Sequence, residues 1–354
     1  MLYRENGQFK SSYRADQQML PILQDRIFML VLAAFAFLAV PYLASDYLFL
    51  SILVPFLILA LAAIGLNLLV GYCGQISIGH AAFMAVGAYA AYNLVVRAPA
   101  LNFLVVLVLA GLIAAAVGMV FGIPSLRIKG LYLAVATLAA QFFIDWLFAR
   151  VKWFTNYEHS GSVSPGPIEL FGWRIDSPVE KYEFLLAILI VFTIIAKNLV
   201  RGHLGRAWMA TRDMDVAAEV IGIRPVYAKL TAFAISSFFC GVAGALWGFV
   251  HLGSWEPLAF NLTLSLNLLF MIIIGGMGSI LGAYFGAAFI VALPVLLNQI
   301  PQMLGAPIST ATASHLESMI FGALIILFLI VEPNGLARLW ALGKEKLRLW
   351  PFPH

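Results

Sequence analysis

Gln75, Ser77 and His80 lie inside GYCGQISIGHAAFMAVGAYAAY, Gly71 to Tyr92, an apolar run interrupted by Gly71, Gly74, Gly79 and Gly87. Amide, hydroxyl and imidazole groups in such a run can hydrogen-bond a passing solute or a neighbouring helix, and the glycines make a helix easy to break. Backbone freed at membrane depth is tolerated only where protein or a water-filled cavity satisfies it, and discontinuous helices in transporters commonly line the transport path. The stretch is therefore read as a pathway element. Asn67 just before it, Thr137 and Gln141 one turn apart, and Asn267 are the other polar residues placed near the path. For any single one of them, close packing with hydrogen bonds to adjacent helices is an equally good account; as a group they favour the pathway.

Nothing in the sequence accompanies them that would make or break a covalent bond. The six histidines are nowhere within four residues of one another, which removes a helical metal pair or a haem-attachment pattern. Cys73 and Cys240 fall in or at the ends of apolar runs on a side where thiols stay reduced, so no disulfide is expected. None of the eight lysines stands in a Gly-four-Gly-Lys-Ser/Thr cradle. The chain is read as a non-enzyme with no cofactor of its own; ATP and Mg, if they drive it, belong to another subunit.

These residues must be positioned by membrane-spanning helices. With 11% charged residues and a mean hydropathy of +0.95, the composition is that of an all-α polytopic membrane protein. Apolar runs near 27–43, 48–70, 76–96, 103–123, 131–149, 183–197, 229–250, 263–275, 279–298 and 317–331 predict about ten spans, some broken or re-entrant. Residues 1–26 form a charged tail too long and poorly flanked for a signal peptide, 27–333 the transmembrane domain, and 334–354 a basic tail. With the N-terminus inside, sixteen Lys and Arg fall on cytoplasmic segments and five outside, which places both termini in the cytoplasm. The net charge of +4 then reflects this retention and contact with anionic lipid, and gives no reason to expect nucleic-acid binding.

The cytoplasmic loop 198–228 carries most of the remaining signal. GRAWMATRDMDVAAEVIGI, ending at Ile223, predicts a short amphipathic helix from near Asp213 to Gly222, with Ala217, Ala218 and Gly222 allowing close approach and a left-handed stop. Arg212, Asp213 and Glu219 belong to the same surface, which is read as receiving force from a soluble partner. In MIIIGGMGSILGAYFGAAF, Gly278, Gly282 and Gly286 repeat every four residues and predict one small-residue helix face, fitting a dimer seam or packing within the chain equally well. Asp145, one turn from the outer end of its span, is expected to pair with Arg150 or Lys152. The outer loop 152–181 is the longest outside the membrane and offers a docking surface.

From about residue 48 to 340 the sequence resembles the LivM-type permeases of the branched-chain amino acid class of ABC importers. The resemblance is carried by LNLLVGYCGQISIGHAAFMAVGAY, SLRIKGLYLAVATLA, the GRAWMATRDMDVAAEVIGI loop, AFAISSFFCGVAGAL and MIIIGGMGSILGA, in that order. It implies the ABC importer permease fold in a bacterial inner membrane. It further implies a second, LivH-type permease, two ATP-binding subunits that hold ATP and Mg, and an extracytoplasmic solute-binding protein. The Ala217, Ala218, Gly222 spacing then matches the coupling helix such permeases present to their ATPase. Two departures stand out: Val216 where importer permeases often carry Glu, and an outer loop HSGSVSPGPIELFGW in place of a Thr-Gly-Gly-rich one, which leaves the solute open among amino acids, urea or short amides, and aromatic acids. The alternative, an ion-coupled secondary transporter or channel, would need midplane carboxylates, and only Asp145 lies well within an apolar span.

Overall fold

The structure, a computed structural model, describes residues 11–12, 23–123, 131–158, 161–170, 172–303, 310–331 and 335–349. Arg4, Lys10 and Arg14 of the first tail and Arg127 and Lys129 of the SLRIKG motif lie outside the described residues.

Among the described residues eight helices are long and apolar enough to cross a membrane: α1 Asp25–Leu43, α2 Asp46–Tyr72, Phe103–Gly122, Tyr132–Arg150, Pro178–Arg201, Pro225–Leu252, Pro257–Gly275 and Ile280–Leu297. The stretch near 76–96 forms α3, His80–Arg97, diluted in hydropathy by His80, Tyr89, Tyr92 and Asn93, and that near 317–331 forms part of a helix Thr310–Val331. In chain order the remaining elements are α4 (Phe103–Gly122), α5 (Leu131–Arg150), strands β1 (Ile168–Leu170) and β2 (Trp173–Ile175), α6 (Pro178–Arg201), α7 (His203–Asp213) and α8 (Asp215–Val220). They are followed by α9 (Pro225–Leu252), α10 (Leu262–Gly275), α11 (Ile280–Met303), α12 (Thr310–Val331) and α13 (Gly335–Leu349). The chain is a polytopic all-α membrane protein.

Local sequence explains several boundaries. Ser177 and Glu180 close a capping box across Pro178, so α6 starts with its first donors satisfied. Asn102 and Asn261 cap α4 and α10 by accepting from Leu104 and Leu264. The 152–181 loop is not irregular throughout: β1 and β2 pair antiparallel, and Val163 bridges Trp255 from across the chain.

The core is organised around α9, which packs on α2, α3 and α4. Small residues make this possible. A Cβ added at Gly87 would overlap the Gly241 carbonyl, and one at Gly244 the Met84 carbonyl, so α3 and α9 touch backbone to backbone. Cys73 and Cys240 are both free thiols, buried. By contrast α1 buries none of its span and exposes Phe28, Leu30, Leu38 and Leu43, as an element facing lipid or another subunit must.

Candidate functional site

Two discontinuities meet near one end of the bundle. α2 closes in a π turn, Leu68–Tyr72, of the kind that marks functional sites, and the chain then runs without helix from Gly74 to Gly79 before α3 begins. Between α10 and α11, Gly276 and Gly278 take positive φ. Gly278 therefore belongs to the turn and not to a helix face; only Gly282 and Gly286 of the expected face lie on α11. Their partner is within the chain, since a Cβ at Gly282 would come within 2.6 Å of the Gly276 carbonyl oxygen and one at Gly286 would overlap that of Met271.

Asn67 locks the two breaks together. It is buried, its Nδ2 donates to the Ser279 carbonyl (2.7 Å), and its Oδ1 accepts from the Gly278 N–H (2.8 Å). Gly71 lies so close to Asn67 and Gly278 that no side chain fits there.

α3 starts at His80 with no cap of its own, which leaves N–H groups in the protein interior. Other helices supply the acceptors. Thr137 Oγ1 accepts from Ile78 N (3.0 Å), Ser265 Oγ from Ala81 N (2.8 Å), and Gln141 Oε1 from Ala82 N (2.8 Å) and the Ser265 hydroxyl (3.0 Å). Gln141 Nε2 donates onward to the Phe260 carbonyl (2.8 Å) and to Asp145 (2.9 Å). Asp145 thus takes Gln141 as its partner, and makes no ion pair with Arg150 or Lys152 among the described residues: the carboxylate lies one turn from Gln141, where the amide reaches it directly. His80 shares hydrogen bonds with Ser77 (2.8 Å) and Ser236 (2.9 Å), joining the break to α9.

Five of the seven residues placed near the path, Asn67, Ser77, His80, Thr137 and Gln141, are therefore buried and engaged with protein groups. Gln75 is buried with its Oε1 unpartnered, and Asn267 is half-buried on α10 with no hydrogen bond among the described residues. Ser236 and Ser265 complete the network without having been singled out in sequence, where Ser236 is one serine in AFAISSFF and Ser265 one in LTLSLN. Gln141→Leu should strand the Ala82 N–H and the Phe260 carbonyl together, costing about 2 kcal/mol at the low end for two orphaned buried groups. A fall in melting temperature of the purified protein, with no such fall for the lipid-facing Phe142→Leu, would show it.

The basic loop folds as two helices. α7 runs to Asp213, Met214 is extended (φ −161°, ψ 99°), and the short helix starts at Asp215, two residues later than its sequence suggests. Asp213 and Arg212 end the preceding helix. The C-terminus of α8 is a Schellman motif: Ile223 N–H reaches the Ala218 carbonyl (2.9 Å), Gly222 N–H that of Glu219 (3.0 Å), and Gly222 holds φ at +89°. Ala218 is buried, whereas Ala217, Glu219 and Gly222 are exposed. Around them Met214, Val216, Val220 and Ile221 are 64–83% exposed, an apolar surface on a polar loop. Its residues were legible as apolar but not as outward-facing. Trp208, fully buried, fastens α7 to α9 through Thr231 (3.2 Å).

Arg212 connects the loop to the breaks. Its Nη1 donates to the Gly71 carbonyl (2.9 Å) and its Nε to Asp213 (2.9 Å). A Cβ at Gly74 would strike its side chain at 2.8 Å. One guanidinium thus holds α7 against the π turn of α2, which Asn67 in turn ties to the α10–α11 turn.

A family model described as branched-chain amino acid transport system / permease component matches residues 48–329. Among curated proteins, the high-affinity branched-chain amino acid transport system permease protein LivM of Salmonella typhimurium is 29% identical over 303 residues, covering 79% of this chain and 68% of its own length. LivM of Escherichia coli matches to the same extent, and a probable LivM of Methanocaldococcus jannaschii is 23% identical over 234 residues, 65% of this chain and 66% of its own length. No solved structure matches significantly. With the match spanning both broken segments and the paired helices between them, the chain belongs to the branched-chain amino acid transport permease family as a LivM-type member.

Proposed function

We propose that this chain is one of two membrane subunits of an ATP-driven, binding-protein-dependent importer for amino acids, working by alternating access. The basic-loop end faces the cytoplasm together with both termini, in a bacterial inner membrane, and the β1–β2 loop faces the solute-binding protein. A LivH-type permease completes the path. Two ATP-binding subunits, carrying ATP and Mg, dock on α8. The path runs past the broken segment, with Gln75 and Asn267 available to solute and Asn67, Ser77, His80, Thr137 and Gln141 holding its walls.

The observation that carries this reading is the Arg212 contact: a polar helix outside the bundle, with an exposed apolar face beside it, hydrogen-bonded to the discontinuity of a buried helix. An ion-coupled transporter has no use for such a lever. Mild-detergent purification of the tagged chain from its own membranes, with mass spectrometry, tests it. Co-recovery of two ATP-binding subunits and a second permease is expected, and the chain alone in several detergents would overturn the assignment.

Gly222→Val separates docking from folding. No atom lies within 4 Å of a Cβ built there, so within this chain the substitution only strains one residue, by about 1–2 kcal/mol. We expect, per permease recovered, a several-fold drop in co-purified ATP-binding subunits and a matching drop in uptake.

A further inference from the structure

At the basic-loop end a cleft of about 330 Å³ opens between the non-helical segment after α2 and the α7–α8 corner, within the size range of small-molecule sites. Two of its lining groups hold hydrogen-bonding capacity that the protein leaves unused. Gln75 is 6% exposed and its Oε1 has no partner. Lys229 is 7% exposed, and its ammonium stands 3.8 Å from Asp215, beyond hydrogen-bond length.

A buried ammonium short of hydrogen bonds and a buried orphan amide oxygen are each unfavourable. They are also opposite in kind, since the first only donates and the second, through Oε1, only accepts. Arg212, the other cation of the cleft, is already committed to Gly71 and Asp213. The rest of the wall includes the carboxylates of Asp213, paired with Arg212, and Asp215, facing Lys229, and the apolar Ile76, Leu133 and Met214. A ligand with a carboxylate, an ammonium and an aliphatic side chain meets all three demands.

We infer that this cleft is a site for a free α-amino acid on the exit side of the permease, its carboxylate toward Lys229 and its ammonium toward Gln75. The site touches the broken segment on one wall and the α7–α8 corner on the other, so an amino acid leaving the path occupies the joint through which the lever acts. The inference rests on the amino acid importer reading and extends it to a place where the released solute is held.

Equilibrium binding of radiolabelled L-leucine to the purified permease–ATPase complex, without the solute-binding protein, tests it. We expect saturable binding, weakened about tenfold or more by Gln75→Leu and by Lys229→Met, as loss of one charge-assisted hydrogen bond each would give. Gln75→Glu, which keeps the acceptor, should keep binding, and neither 4-methylpentanoate nor isoamylamine should compete as L-isoleucine does. Because Gln75→Leu deletes a group with an unmet hydrogen bond, its melting temperature should hold or rise, which separates loss of a site from loss of fold, whereas Lys229→Met also removes the ion pair with Asp215 and is compared with it for binding only. Absence of saturable binding to the wild-type complex, or binding indifferent to both substitutions, overturns the site. ATP- and binding-protein-dependent leucine uptake by the same preparation is scored separately, and its absence would sink the importer reading while leaving the binding result to stand alone.

Discussion

Valine in place of Gly286 should remove most folded permease from the membrane. A Cβ at this position would overlap the Met271 carbonyl oxygen of α10, and the obstacle is backbone, which cannot turn aside as a side chain tip can. Relief requires α10 and α11 to move apart. That in turn pulls on the turn between them, where Gly276 and Gly278 hold positive φ and Asn67 grips both Gly278 and Ser279. Overpacking alone costs about 1–3 kcal/mol, and the added disruption of a buried double hydrogen bond takes the expected loss above about 3 kcal/mol, enough to lower abundance several-fold. Fluorescence-detected size exclusion of tagged variants would read it. Gly322→Ala on α12, where a Cβ meets nothing within 4 Å, should elute as the parent does; equal profiles for the two variants would mean that the α10–α11 contact is not as tight as the structure has it.

Gly286 also shows how far spacing alone reaches. A four-residue glycine repeat declares a close helix contact, and Gly282 and Gly286 make one. It does not say with which helix, nor that Gly278 would fall outside α11, because the turn is fixed by Asn67 from 211 residues away. The same limit applies to the broken segment. That one span would end near residue 70 and the next begin near 76 followed from the apolar runs, and that the stretch would break followed from its glycines; the structure has the break, with the second helix starting four residues later, at His80. That the freed N–H groups of Ile78, Ala81 and Ala82 would be met by Thr137, Ser265 and Gln141 did not follow, since these partners lie 59 to 184 residues away. A polar side chain at membrane depth looks alike in sequence whether it faces solute or caps a helix. Burial with a full set of partners distinguishes them, and by that measure Gln75 and Asn267 are the two whose hydrogen-bonding groups the protein does not take up among the described residues. The basic loop was legible at its glycine stop and misplaced at its start, because the extended conformation of Met214 carries no residue-type signature.

Alanine at position 212 should cut uptake about tenfold or more while leaving the complex assembled. α7 has a second anchor in the buried Trp208 and its bond to Thr231, so the helix stays docked when the guanidinium goes. What is lost is a charge-assisted hydrogen bond to the Gly71 carbonyl, worth about 1.5–3 kcal/mol, at the point where Gly71, Asn67 and Gly278 are packed too closely for any of them to move alone. Movement of α7 would then no longer be passed to the π turn of α2 at full strength, and a coupling free energy of about 1–3 kcal/mol is all that typically links two such sites. ATP hydrolysis should therefore continue with less solute moved per cycle. Arg212→Lys keeps a cation and one donor but not the fork that reaches Gly71 and Asp213 together, and should fall between the two. Uptake and ATPase rates measured on the same reconstituted vesicles decide it: if both fall in proportion to the amount of protein recovered, Arg212 supports the fold, and if uptake per ATP is unchanged, the contact between α7 and α2 transmits nothing.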